Sequence, residues 1–280
     1  MEILVSTEWL AGQLGAADLR VVDASYFALD PSRDPQADYD AGHIPGAIFL
    51  NLGELKDNGN PVPFMLPPVE KFASRMRALG IGDGDCIVLY DNTPHITAAR
   101  AWWMFKTFGA HDVAILDGGL AKWKAEGRAL EIERPNLRQR HFTARADQKA
   151  VRTFNQMKAN VESGAEQVLD ARGAARFTGE EADPRPNMAS GHIPGSKNLP
   201  YDRLLNPDGT WKRGDALKVA FDEAGVDLSQ PLVTTCGSGV TAATVLFGAA
   251  LLGKTDVALY DGSWSEWGAD PSTPKATGAA

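Results

Sequence analysis

The feature that most restricts the fold of this chain is an internal repeat of domain length. Val21-Val22-Asp23-Ala24-Ser25 returns as Val168-Leu169-Asp170-Ala171-Arg172, and Gly42-His43-Ile44-Pro45-Gly46-Ala47 as Gly191-His192-Ile193-Pro194-Gly195-Ser196. Leu79-Gly80-Ile81-Gly82 pairs with Ala224-Gly225-Val226-Asp227. The run from Asp112 to Gly119 pairs with the run from Asp256 to Ser263, and Trp123 and Trp267 close the two units. A repeat this long is no solenoid unit, so it reads as two copies of one domain. Within a copy, short β-branched runs alternate with helical patterns, as in strand 87–90, helix 98–108 and strand 113–116. That alternation predicts an α/β fold: two tandem domains, each with a mainly parallel central sheet flanked by helices. The boundaries expected are 1–134, a polar, Pro-containing linker at 135–150, and 151–280.

The second copy holds the stretch richest in chemistry. An apolar run, 231–235, enters Cys236-Gly237-Ser238-Gly239-Val240-Thr241-Ala242, and an apolar segment leaves it for Gly253. This reads as a buried strand, a tight glycine loop and a buried helix. A cysteine there faces the N–H groups of a helix start, which favour a thiolate, so Cys236 is expected to have a lowered pKa and to be a nucleophile. An inert packed cysteine is the plainer alternative, and Gly-Ser-Gly is a poor packing site. In the first copy, strand 87–90 ends at Asp91, which takes the place of Cys236. Aspartate can cap a helix but cannot do thiol chemistry, so the first copy is expected to be catalytically silent. The Pro- and Gly-containing insertion 56–68 is expected to be a loop on the surface or in the interdomain cleft.

Composition removes several classes of function. The net charge of −8 leaves no basic footprint for nucleic acid or for an anionic membrane surface. With 280 residues, 44% of them hydrophobic, the chain can bury two cores, and no apolar run is long enough to span a bilayer. The N-terminus lacks a secretory pattern, and two cysteines make no disulfide framework, so a cytoplasmic location is expected. Cys86 opens a strand and reads as packing. The five histidines show no metal-ligand spacing, so no metal is expected. The aromatic helix around Trp102 and Trp103 reads as core, and the tail 272–280 as frayed.

The tandem G-H-I-P-G motifs, the aspartate in place of cysteine and the D-G-G and D-G-S segments resemble the two-domain rhodanese sulfurtransferases over essentially the whole chain. The loop C-G-S-G-V-T-A is similar to the 3-mercaptopyruvate branch of that family. The thiosulfate branch carries basic residues in this loop, as C-R-K-G-V-T. The resemblance implies a Cys236 persulfide, no separate cofactor, a small-molecule sulfur donor, and a thiol acceptor such as thioredoxin or a small thiol. It also implies that Ser238 works with His43 and an upstream aspartate, Asp34 or its rival Asp30. Carried over by motif, Arg176 and Arg185 would hold the donor carboxylate, with the backbone of Gly237, Gly239, Val240 and Thr241 as an anion nest. The plainer readings are a turn role for His43, like that of His192, and surface ion pairs for the arginines. A phosphatase of the Cys-x5-Arg kind needs an arginine where Ala242 stands. A thiosulfate sulfurtransferase, the same chemistry on another donor, and a non-catalytic persulfide carrier or sensor are the remaining alternatives.

Overall fold

The structure is a computed structural model that describes residues 1–27, 30 and 32–279. It divides into two compact units. The first comprises Met1–Asp57, Leu66–Asp147 and Pro207–Trp211, and the second Asn58–Met65, Gln148–Asn206 and Lys212–Ala280.

The first unit runs β1 (Leu4–Val5), α1 (Thr7–Gln13), β2 (Leu19–Asp23), α2 (Pro35–Ala41), β3 (Ile48–Phe49), α3 (Val69–Ala78), β4 (Cys86–Tyr90), α4 (Thr97–Thr107), β5 (Val113–Leu116) and α5 (Gly119–Ala125). The second runs β6 (Val151–Arg152), α6 (Phe154–Ser163), β7 (Gln167–Asp170), α7 (Ala174–Thr178), β8 (Lys197–Asn198), α8 (Gly214–Glu223), β9 (Leu232–Thr235), α9 (Val240–Leu251), β10 (Val257–Tyr260) and α10 (Ser263–Trp267). The two five-stranded sheets have the same order, β1-β5-β4-β2-β3 and β6-β10-β9-β7-β8. Every pairing in them is parallel. The α/β organisation expected from the alternating pattern is therefore present in both copies.

The repeat extends into the cores. Val21, Ile44, Val88, Ala114 and Trp123 cluster in the first unit, and Val168, Ile193, Val233, Ala258 and Trp267 in the second. Helices α4 and α9 are buried nearly all round, as their continuous apolar sequence requires. Trp102, Trp103, Met104 and Phe105 are all core residues.

Two stretches are more ordered than their composition suggests. In the polar stretch 135–147, Phe142 is buried against Phe72 and Phe105, and Arg145 N–H donates to Phe108 O at 3.0 Å. The C-terminal tail, expected to fray, is pinned. Trp267 Nε1 donates to Pro274 O at 2.8 Å, Ala276 bridges His192, and Gly278 N–H donates to Thr178 O at 2.8 Å. Backbone hydrogen bonding rather than apolar content holds this strap, so composition gave no sign of it. Ala280 lies outside the described residues.

Candidate active site

The loop after β9 stands at the carboxyl end of the second sheet, where parallel α/β folds place their chemistry. Cys236 is buried there, and Gly239 N–H donates to its Sγ at 3.1 Å. Gly239 reaches that position with φ of +78°, a left-handed conformation that glycine adopts without strain. Val240 and Thr241 form the first turn of α9, so the helix start points at the sulfur. Ser238 is half-buried, and no hydrogen bond within the described residues occupies its hydroxyl.

The loop is tied to the segment after β10. Trp264 N–H donates to Cys236 O at 2.9 Å, and Ser265 N–H and Oγ donate to Gly237 O at 2.9 and 2.8 Å. Ser263 Oγ accepts from Cys236 N–H at 3.3 Å and donates to Tyr260 O at 2.8 Å. Ser263 has φ of +50°, a conformation costing roughly 1–2 kcal/mol for a residue with a side chain. The matching Gly119 has φ of +55° in the first unit. The second unit thus has a strained serine where the first has a relaxed glycine, and its hydroxyl accepts from the N–H of Cys236. Sequence reasoning passed over Ser263 and Ser265; D-G-S-W-S against D-G-G-L-A was the available signal.

Arg176 comes from α7 and Arg185 from the loop beyond it. A Cβ placed on Gly237 would lie 3.5 Å from a terminal nitrogen of each. Both guanidinium groups therefore face the loop that carries Cys236. Between them stands Asp183, its side chain only 2% exposed. It accepts from Arg176 Nη2 at 2.6 Å, Arg185 Nε at 2.7 Å, Arg185 Nη2 at 2.8 Å and Arg185 N–H at 3.0 Å. Burial alone would raise the Asp183 carboxyl, but the hydrogen bonds from Arg185 and Arg176 hold it well below the usual carboxylate range.

The two arginines are used differently. Arg185 Nη1 donates to Gly237 O at 2.8 Å and to Ser265 Oγ, so its donors are largely taken up by the loop and by Asp183. Arg176 spends one N–H on Asp183, and its Nε is buried with no partner. Unpaired guanidinium donors beside the Cys236 loop suit a carboxylate. Arg172 is a support: buried, paired with Asp170 at 2.7 Å and laid over Trp264, it fixes the end of β7.

The expected residues of the first copy lie in the other unit. His43 is completely buried and stacked on Tyr39, with Nδ1 2.9 Å from Tyr39 O and Nε2 3.3 Å from Glu133 O. His192 repeats this, stacked on Phe177 with Nδ1 2.8 Å from Phe177 O. Each histidine also takes part in a bridge to the strap that closes its unit, at Glu131 or Ala276. Asp34 is the exposed N-cap of α2, accepting from Gln36 N–H at 2.9 Å, and no hydrogen bond joins it to His43. Asp30 accepts from Ser32 instead.

Asp91 holds the position of Cys236 in three dimensions. Leu120 N–H donates to Asp91 O at 3.0 Å, as Trp264 N–H does to Cys236 O. Its carboxylate accepts from Thr97 N–H at 2.5 Å and Thr93 Oγ1 at 2.6 Å, at the start of α4. Burial pushes this carboxyl up to about 6, against those hydrogen bonds.

Among the described residues, no cluster of histidine, cysteine or acidic groups could hold a metal ion, and no helix is long and apolar enough to cross a membrane.

The Rhodanese-like domain model matches residues 6–126 and again 153–270. The 3-mercaptopyruvate sulfurtransferase of Homo sapiens is 41% identical, the match covering 94% of this chain and 91% of that protein. The thiosulfate sulfurtransferase of Gallus gallus is 42% identical, covering 94% and 92%. The crystal structure of SseA from Escherichia coli, a 3-mercaptopyruvate sulfotransferase by its description, matches with a TM-score of 0.86 at 37% identity, over 94% of this chain and 99% of that one. With both halves matched, the chain belongs to the rhodanese-like domain family, as two copies in tandem.

Proposed function

We propose that this chain is a sulfurtransferase that takes sulfur from 3-mercaptopyruvate, carries it as a persulfide on Cys236, and yields it to a thiol such as thioredoxin or a small thiol. The observation that carries this reading is the buried Cys236 Sγ receiving the Gly239 N–H, with the Arg176 and Arg185 guanidinium groups against the adjoining Gly237. The relatives named for this activity support it.

The Cys236 thiolate attacks the donor sulfur. The C–S bond breaks, and its electron pair passes to C3, where the neighbouring ketone holds it as the enolate of pyruvate. The proton of the donor thiol ends on C3, giving pyruvate and a Cys236 persulfide anion; Ser238, two residues beyond the cysteine, is assigned to pass it on the family resemblance. An acceptor thiolate then attacks the outer sulfur and returns Cys236 to its starting state. The loop N–H groups hold the anionic sulfur in both forms. Arg176 takes the donor carboxylate, and Arg185 chiefly braces the loop. No separate cofactor is needed. The first unit is catalytically silent, its Asp91 filling the equivalent loop.

His43 and Asp34 act with Ser238 only by family resemblance; the packing of His43 inside its own unit favours turn construction. Two unpaired cysteines favour a reducing compartment, the cytoplasm. A second reading, thiosulfate as donor, is favoured by the avian relative. The test is pyruvate release from 3-mercaptopyruvate with a thiol acceptor. Wild type should turn over and Cys236→Ser should lose at least about a thousandfold in rate. Full activity in Cys236→Ser would sink the mechanism, and a higher kcat/KM for thiosulfate would reverse the choice of donor.

A further inference from the structure

We propose that Asp183 is the residue that sets the charge preference of the donor site, tuning it to a monoanion such as a 2-oxo acid carboxylate and against a dianion such as thiosulfate. The proposal rests on the sulfurtransferase reading above. It arises from the way charge is distributed around the loop. Two guanidinium groups approach Gly237, and the loop itself contains no basic residue. Without Asp183 the site would offer two positive charges, which match a dianion. Asp183 sits between the arginines and binds both, so one positive charge is already answered before any donor enters.

Its carboxylate is nearly inaccessible, so water screens it little and its charge is felt in the site. It stays ionised across the range in which the enzyme would work, because the guanidinium hydrogen bonds hold its carboxyl well down despite burial. The neighbouring Glu180 and Glu181 are exposed, where solvent weakens their effect. The same carboxylate takes one Nη2 hydrogen of Arg176 and leaves that residue's Nε without a partner. One fork with one surplus charge is complementary to one carboxylate. A second negative charge on the donor would meet the Asp183 carboxylate without a cation of its own. Asp183 acts through the arginines and is a specificity residue, not a catalytic one.

The proposal is tested with Asp183→Asn and Asp183→Glu, comparing kcat/KM for thiosulfate and 3-mercaptopyruvate. Asp183→Asn should raise the ratio of thiosulfate to 3-mercaptopyruvate at least about tenfold, the effect of one added charge a few ångströms away and partly screened. Asp183→Glu, which keeps the charge, should stay near the wild-type ratio. A purely structural Asp183 would weaken both donors together, and an unchanged ratio in Asp183→Asn would overturn the proposal. Asp183→Ser, smaller and also neutral, answers the same question if Asp183→Asn gives no folded protein.

A parallel measurement does not depend on which donor the enzyme uses. Bound anions should slow alkylation of Cys236 by iodoacetamide, and protection by pyruvate can be compared with protection by sulfate. In wild type pyruvate should protect at lower concentration than sulfate, and in Asp183→Asn the order should move toward sulfate. Wild-type protein that releases no pyruvate from 3-mercaptopyruvate would remove the donor assignment alone. The protection ratio would still judge Asp183, and equal shifts for both anions would refute its role.

Discussion

At the scale of single residues, the chain spends buried charge in two ways. Asp183 is paid back by two guanidinium groups, whereas Asp91 has only hydroxyl and N–H donors and its carboxyl is pushed up to about 6. The folded state therefore binds the Asp91 proton more tightly than the unfolded chain, whose carboxyl has the ordinary aspartate value of 3.8. Its contribution to stability is complete below about pH 4 and is lost as pH rises through about 6. Asp91→Asn keeps an acceptor for the Thr97 N–H and removes the titration. The variant should match wild type near pH 4 and exceed it by about 2–3 kcal/mol at pH 7.5, as read from denaturant unfolding. A difference that does not change with pH would refute the buried-charge account. The role of Asp91 as a stand-in for Cys236 was legible in sequence, because strand endings align. Its charge state was not, since burial and the Thr93 and Thr97 partners depend on how loop 91–97 folds back.

Among elements, the clearest recurring assembly is the G-H-I-P-G turn with its strap. In each unit the histidine stacks on an aromatic ring, bonds that residue's carbonyl and bridges a late extended segment. The motif was visible as a repeated turn. The strap was not, because 129–133 and 273–278 pair through backbone groups and carry no strand-like pattern. If the shared packing is the whole role of the histidines, His43→Asn and His192→Asn should each cost about 1–3 kcal/mol of stability, with kcat of the remaining folded enzyme nearly unchanged. A fall in kcat confined to His43→Asn, in protein of wild-type stability, would instead establish the catalytic assignment that the family resemblance implies.

For the molecule as a whole, the two copies differ at the loop after the central strand, where one has Asp91 and the other Cys236. Cys86 opens β4 beside Met1, where burial, Asp112 and Asp18 push its thiol up. Treatment with donor in the absence of acceptor should therefore add a single sulfur atom per chain, on Cys236, as read by intact-mass and peptide analysis. Cys86→Ser should load to the same extent, and a second sulfur on Cys86 would refute the single-site reading. What the sequence determined by itself was what a linear pattern encodes: the duplication, the α/β alternation, the buried helices, the cysteine loop and the family. Those depend on periodicity and on residues adjacent in the chain. Tertiary structure alone decided how Asp183 divides its bonds between two arginines, which of them keeps unpaired donors, and how a strained Ser263 comes to accept the N–H of Cys236. Ser263 meets Cys236 from the end of another strand, and Asp183 with its two arginines, though neighbours in the chain, meets the Gly237 loop only once β7, β9 and β10 lie side by side. Their burial, and with it their electrostatics, exists only once the sheet has formed.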